Sequence, residues 1–185
     1  EMSASLVGSE MCIRDSASGV VAADAMVKTS EVDIIEAQTV CPGKYIVIIS
    51  GDLSAVRAAV DNAKNLHGRY LINSFVLGNP HESIFPAIYG ATAIEDVSAL
   101  GIVETYDATS IIVAADEAAK TAIVDLVELR IARGMCGKSY MMLTGEVAAV
   151  EAAIERAKSV VAEDGMFLDS SVIAHPDAQI RNAIL

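Results

Sequence analysis

The feature that most constrains this chain is that it repeats itself. "AADAMVKTSEVDII" (22–35) aligns with "AADEAAKTAIVDLV" (114–127) at an offset of 92. "GKYIVIISGDLSAVRAAVDNAK" (43–64) aligns with "GKSYMMLTGEVAAVEAAIERAK" (137–158) at an offset of 94, and "LINSFVLGNP" (71–80) with "FLDSSVIAHP" (167–176) at 96. Each step in the offset is a two-residue insertion. The first falls in the loop that holds Cys41, the second between a long helical stretch and the last strand. Two copies of one unit of about 90 residues must therefore take the same fold.

The unit reads the same way twice. Residues 18–29 and 110–121 are Ala-rich with apolar residues at helical spacing. "VDIIEAQTV" and "VDLVELRIA" are β-branched and alternating, hence strands. "KYIVIIS" and "KSYMMLT" are continuous apolar runs, expected as central strands, and Gly51 and Gly145 end them. Residues 53–66 and 147–162 are amphipathic helices. Asp52 or Ser54 is the expected N-cap of the first, and Glu146 favours the same helix end in the second. A last strand and a short helix close each copy. The second copy opens with a strand, "ALGIVETY" (99–106), whose counterpart at an offset of 92 falls on residues 7–14. The order β-α-β-β-α-β, twice, predicts an α+β chain of two tandem ferredoxin-like domains, each an antiparallel sheet with helices on one face.

The opening segment breaks the pattern. "SLVGSEMCIRDS" (5–16) has no clear periodicity and resembles a translated sequencing-adapter scar. Residues 1–16 are accordingly read as a non-native or disordered segment, and Cys12 carries no functional argument. The expected division is 17–96 for the first domain, its first strand lost or overwritten, and 97–185 for the second.

Charge narrows the function. A net charge of −12 argues against nucleic-acid binding, which draws on clustered Lys and Arg. The central strands also lack the stacking aromatics that RNA-recognition domains of the same strand order use. No apolar run reaches the length of a membrane-spanning helix, so no membrane partner is expected. Three widely spaced cysteines form no disulfide framework and suit a reducing compartment. His67, His81 and His175 show no ligand spacing and read as surface residues; no nucleophile elbow, Walker loop or dinucleotide fingerprint is present.

One thiol stands out. In "TVCPGKY" (39–45), Cys41 sits between a strand and a Pro-Gly turn. A lone cysteine neither holds a metal nor closes a disulfide within its own chain, so partners must come from elsewhere or from other copies. Read by itself, it is an ordinary loop or buried thiol. Cys136, in "RGMCGKS", occupies the equivalent loop shifted by one residue and reads first as a small apolar filler, second as a ligand. Lys28 and Lys120 match between the repeats and read by default as solvated helix ends.

Together "AADAMVKTSEVDII…GKYIVIISGDLSAVRAAVDNA" and "ALGIVET…AADEAAK…GKSYMMLTGEVAAVEAA" resemble two bacterial microcompartment shell domains. The resemblance covers about residues 17–185 in the non-permuted order. It is similar to the tandem-domain shell proteins, and "TVCPGKY" resembles the pore loop of the propanediol-utilisation-type member. The resemblance implies a homotrimer of pseudo-sixfold shape in the shell of a microcompartment within the cytoplasm. It would tile with other shell proteins and act as no enzyme. It implies one 4Fe-4S cluster per trimer, held by Cys41 from each of three subunits, with an encapsulated or cytosolic redox enzyme as electron partner. Rotational symmetry would bring three thiolates to an axis, and a cluster that normally takes four Cys would leave one iron to another ligand. Val40, Cys41, Pro42, Gly43, Met135, Cys136 and Gly137 are then pore-loop residues, and Lys28 and Lys120 lie at the edge where tiles meet. The family's Pro-Arg-Pro-His edge motif is absent; "GNPHES" and "AHPDAQ" stand in its place. Two alternatives remain open: a tile with an open metabolite pore and no cluster, and a ferredoxin-like small-molecule sensor.

Overall fold

The computed structural model of the protein describes residues 8–14, 16–41, 43–94 and 96–184. Two four-stranded antiparallel sheets form, and the chain divides into two compact units at Pro80/His81.

In the first unit, β1 (Gly8–Ile13), α1 (Ser16–Thr29), β2 (Val32–Val40), β3 (Lys44–Gly51), α2 (Leu53–His67) and β4 (Leu71–Leu77) follow in order. The sheet order is β2-β3-β1-β4. The continuous apolar run of β3 is central, as its composition requires, and Tyr45 through Ser50 are all buried. Helices α1 and α2 pack on each other and on the sheet. Between the layers lie Ile13, Ala22, Met26, Val47, Ile49, Val56 and Val60.

The second unit holds α3 (Ile84–Tyr89), β5 (Ala99–Thr105), α4 (Ala108–Thr121), β6 (Val124–Arg130), β7 (Ser139–Gly145), α5 (Val147–Glu163), β8 (Phe167–Ile173) and α6 (Ala178–Ile184). Its sheet order, β6-β7-β5-β8, is the same arrangement. Even the irregularities repeat. Bulges fall between Ile34/Glu36 and Leu126/Glu128, and between Cys12/Ile13 and Glu104/Thr105, each pair 92 residues apart. A conserved-register bulge bends a strand and re-aims its side chains, so both sheets bend at the same places.

The structure bears on three expectations. The first strand is present: β1 pairs with both β3 and β4, from Ser9↔Ile49 and Gly8↔Leu77 onward. The ladder is a backbone property. The slot between β3 and β4 offers N–H and C=O groups on both sides that an extended segment satisfies without the "ALGIVET" pattern. The compact units part at Pro80/His81, because α3, which the repeat assigns to the end of the first copy, packs on β6 and α4 and buries Ile84, Ala87 and Ile88 there. Asp52 and Glu146 do stand at the N-caps of α2 and α5, but neither side chain bonds a helix N–H; Asp107 does so for α4, accepting from Ser110 N–H at 2.9 Å.

Close packing of the second unit depends on Gly101 in β5. A Cβ there would lie 2.8 Å from side-chain atoms of both Ile154 and Val150 on α5. Gly101→Val is expected to destabilise the protein by about 1–3 kcal/mol through overpacking, read as a lower midpoint in chemical denaturation.

Candidate functional site

The β2–β3 connection is a tight hairpin. The ladder runs to its last possible pair, Val40↔Lys44, leaving residues 41–43 as the turn. Gly43 adopts φ +69°, the left-handed conformation that a three-residue hairpin needs and that glycine takes without strain. Val40 is buried and anchors the strand end, while Cys41 is exposed at the turn. Pro42 lies outside the described residues. A short hairpin with a fully paired stem carries the Cys41 thiol at its exposed end.

The equivalent connection in the second unit is longer. Its ladder stops at Arg130↔Tyr140, and residues 131–138 form an irregular loop. The turn passes through the left-handed region at Ala132, Gly134, Cys136 and Gly137. Ala132 N–H donates to Ser139 Oγ at 2.9 Å, and Lys138 N–H to the Met135 carbonyl at 3.1 Å. Met135 is half-buried and Gly137 buried, but Cys136 is exposed. The filler reading of Cys136 is thus corrected: a non-glycine residue at φ +54° points its side chain out of a strained turn rather than into the core.

At the base of this loop is a cluster that the sequence reading did not single out. Arg130 Nη2 donates to Glu128 Oε1 at 2.6 Å, and the Tyr140 hydroxyl donates to Glu128 Oε2. The guanidinium also lies over the Tyr140 ring, 5.2 Å from its centroid. The signal was available: Glu-x-Arg places two charges on one face of a strand, and Tyr140 is the register partner of Arg130. Burial first, then the hydrogen bond to Glu128 and that carboxylate's charge, push the Tyr140 phenol up from 10.0 to about 12; Arg130 opposes the shift. The fold favours the neutral phenol. Its contribution to stability is therefore complete below the unfolded value near 10 and is lost as pH rises through about 12. Absorbance titration at alkaline pH should show a tyrosine ionising near 12 that disappears in Tyr140→Phe.

Lys28 and Lys120 both sit in the last turn of their helices, where a cation complements the helix dipole. Each pairs with an aspartate one turn earlier at 2.6 Å. The environments differ. Asp24 is 55% exposed, whereas Asp116 is 2% exposed and also accepts the His81 backbone N–H at 2.8 Å. The histidines are scattered. His81 bonds Ser83 Oγ at 2.8 Å, His67 ends α2, and His175 is exposed.

Among the described residues, no group of three His, Cys, Asp or Glu side chains in one chain is placed to hold a metal. A cluster at Cys41 would thus draw its thiolates from several copies. The donor set fits such an arrangement: each chain exposes the Cys41 thiol at the end of a fully paired hairpin, not committed to the core, and a second thiol, Cys136, on the longer loop.

Comparison with known proteins gives a consistent picture. The BMC domain family matches twice, over residues 11–80 and 99–176. The bacterial microcompartment shell protein PduT of Citrobacter freundii is 39% identical over 160 residues, 86% of this chain and 87% of that protein. Carboxysome shell protein CcmK2 of Thermosynechococcus vestitus is 36% identical over 69 residues, 35% of this chain and 68% of its own length. The crystal structure of a microcompartment protein from Desulfitobacterium hafniense DCB superposes with a TM-score of 0.91 at 43% identity, covering 97% of this chain and 99% of that one.

Proposed function

Because the chain belongs to the BMC-domain family of bacterial microcompartment shell proteins, with two copies of the domain in tandem, we propose that three chains close into a pseudo-sixfold tile carrying a 4Fe-4S cluster on its axis. The shell role itself is structural, and the relatives are shell proteins. Cys41 from each of three copies would supply thiolate ligands, and such a cluster, when bound, carries single electrons. The observation that carries this reading is the exposed Cys41 thiol on a fully paired three-residue hairpin. Buried Val40 holds the strand end, and Gly43 relieves the turn, so the thiol's position is fixed by backbone pairing rather than by side-chain packing. Neighbouring tiles of other shell proteins would meet it at edges that include Lys28 and Lys120, and a redox enzyme on either side of the shell would exchange electrons with the cluster.

Anaerobic purification tests this. The expected product is brown, with about four irons and four acid-labile sulfides per three chains and a low-temperature EPR signal after reduction. Iron-free protein that still assembles into tiles would support the open-pore alternative. The sensor alternative predicts dimers or tetramers that bind a small molecule and form no sheets.

A further inference from the structure

The short helix after each copy's last strand repeats in sequence but not in environment. At the offset of 96, Ile84, Ala87 and Ile88 of α3 correspond to Ile180, Ala183 and Ile184 of α6. The first three are 2%, 0% and 6% exposed, docked on β6 and α4. In α6 no residue is buried, and Ile180 is 48% exposed. Its end lies only beside a cavity of about 390 Å³ lined by Val127, Glu128, Arg130 and Tyr140 of its own chain.

The surface that would receive α6 shows the complementary defect. Leu126 of β6, in the strand under α3, is fully buried, whereas its counterpart Ile34 of β2 is 43% exposed. The anchor repeats too. Asp116 of α4 accepts the His81 N–H just before α3. Its counterpart Asp24 on α1 is exposed, and the counterpart of His81 is Asp177, whose N–H precedes α6.

We propose that residues 177–184 of one copy dock on α1 and β2 of a second copy as residues 81–89 dock on α4 and β6. This rests on the tile reading above and names its contact. Ile180, Ala183 and Ile184 would cover Ile34, and the Asp177 backbone N–H would reach Asp24. Each chain then offers one arm and one acceptor. Such a contact is heterologous, and it closes a ring rather than a two-fold pair.

Two variants separate the halves of the contact. Ile180→Asp with Ile184→Asp disables the arm, and Ile34→Asp disables the acceptor. Removal of residues 178–185 serves as a second arm variant, since no residue of α6 is itself buried and the one ion pair lost is that of Arg181 with Asp96 at 3.9 Å. Circular dichroism checks that each remains folded, and native mass spectrometry and light scattering read the assembly. The wild type should be trimeric. Each variant should need about tenfold higher concentration, or more, to assemble. An equimolar mixture of the arm and acceptor variants should give one-to-one dimers, because a single intact arm meets a single intact acceptor and the ring cannot close. Variants that assemble like the wild type, or a mixture without mixed dimers, would overturn the proposal while leaving the tile reading intact. A monomeric wild type would overturn both.

Discussion

Cys41→Ser is expected to lower iron in the assembled protein from about four per three chains to near zero, with folding and assembly unchanged. The thiol is exposed and outside the core, and serine keeps the hairpin geometry, so the change in stability should stay within about 0.5 kcal/mol. Serine cannot replace a thiolate as a soft ligand to iron. Cys136→Ser should retain the cluster, because that thiol sits on a different, longer loop whose strain the substitution does not alter. Full iron in Cys41→Ser would defeat the assignment, and loss confined to Cys136→Ser would transfer it to the second loop.

The paired lysines should respond very unequally to charge reversal. Lys28→Asp disturbs an exposed pair with Asp24, and such pairs contribute only about 0–1 kcal/mol. Lys120→Asp instead removes the cation from Asp116, a carboxylate 2% exposed, and sets a second negative charge one turn away. Breaking a buried pair costs about 3–5 kcal/mol; with Lys120 itself 37% exposed, a loss of about 2–3 kcal/mol is expected. Urea denaturation of the two single variants measures the contrast, and equal midpoints would refute it. Asp116 also anchors the His81 N–H, so the same change should loosen α3. A test of tiling through these positions is therefore cleaner with Lys28→Asp and Lys120→Gln. Both should keep the chain folded and weaken lateral sheet formation, seen by electron microscopy.

The helices and strands were legible because two copies of one pattern check each other. The long apolar runs of β3 and β7 identify central strands, and the repeat fixes their neighbours. β1 was not legible. Its residues carry little of the alternation seen in 99–105, and its place is set by the ladders of β3 and β4 on either side. The docking of α3 was equally hidden. A six-residue helix has too few turns for a periodic signal, and the surface it covers lies about forty residues further along, on β6. Around the candidate site, "TVCPGKY" announced the hairpin, whereas the exposure of Cys136 depended on left-handed residues that "RGMCGKS" does not spell out except at its glycines. The Glu128–Arg130–Tyr140 cluster joins two strands and becomes visible only with their register.

The unequal lengths of the two connections, three residues after β2 and eight after β6, have an evolutionary consequence. A ring of six identical domains must carry any loop change six times. Duplication and fusion relax that rule, because one copy's loop can shorten and acquire a thiol while its sister drifts. In the proposed ring, mutation would then act on alternate positions, and an odd-numbered ligand set would come within reach of a single codon change.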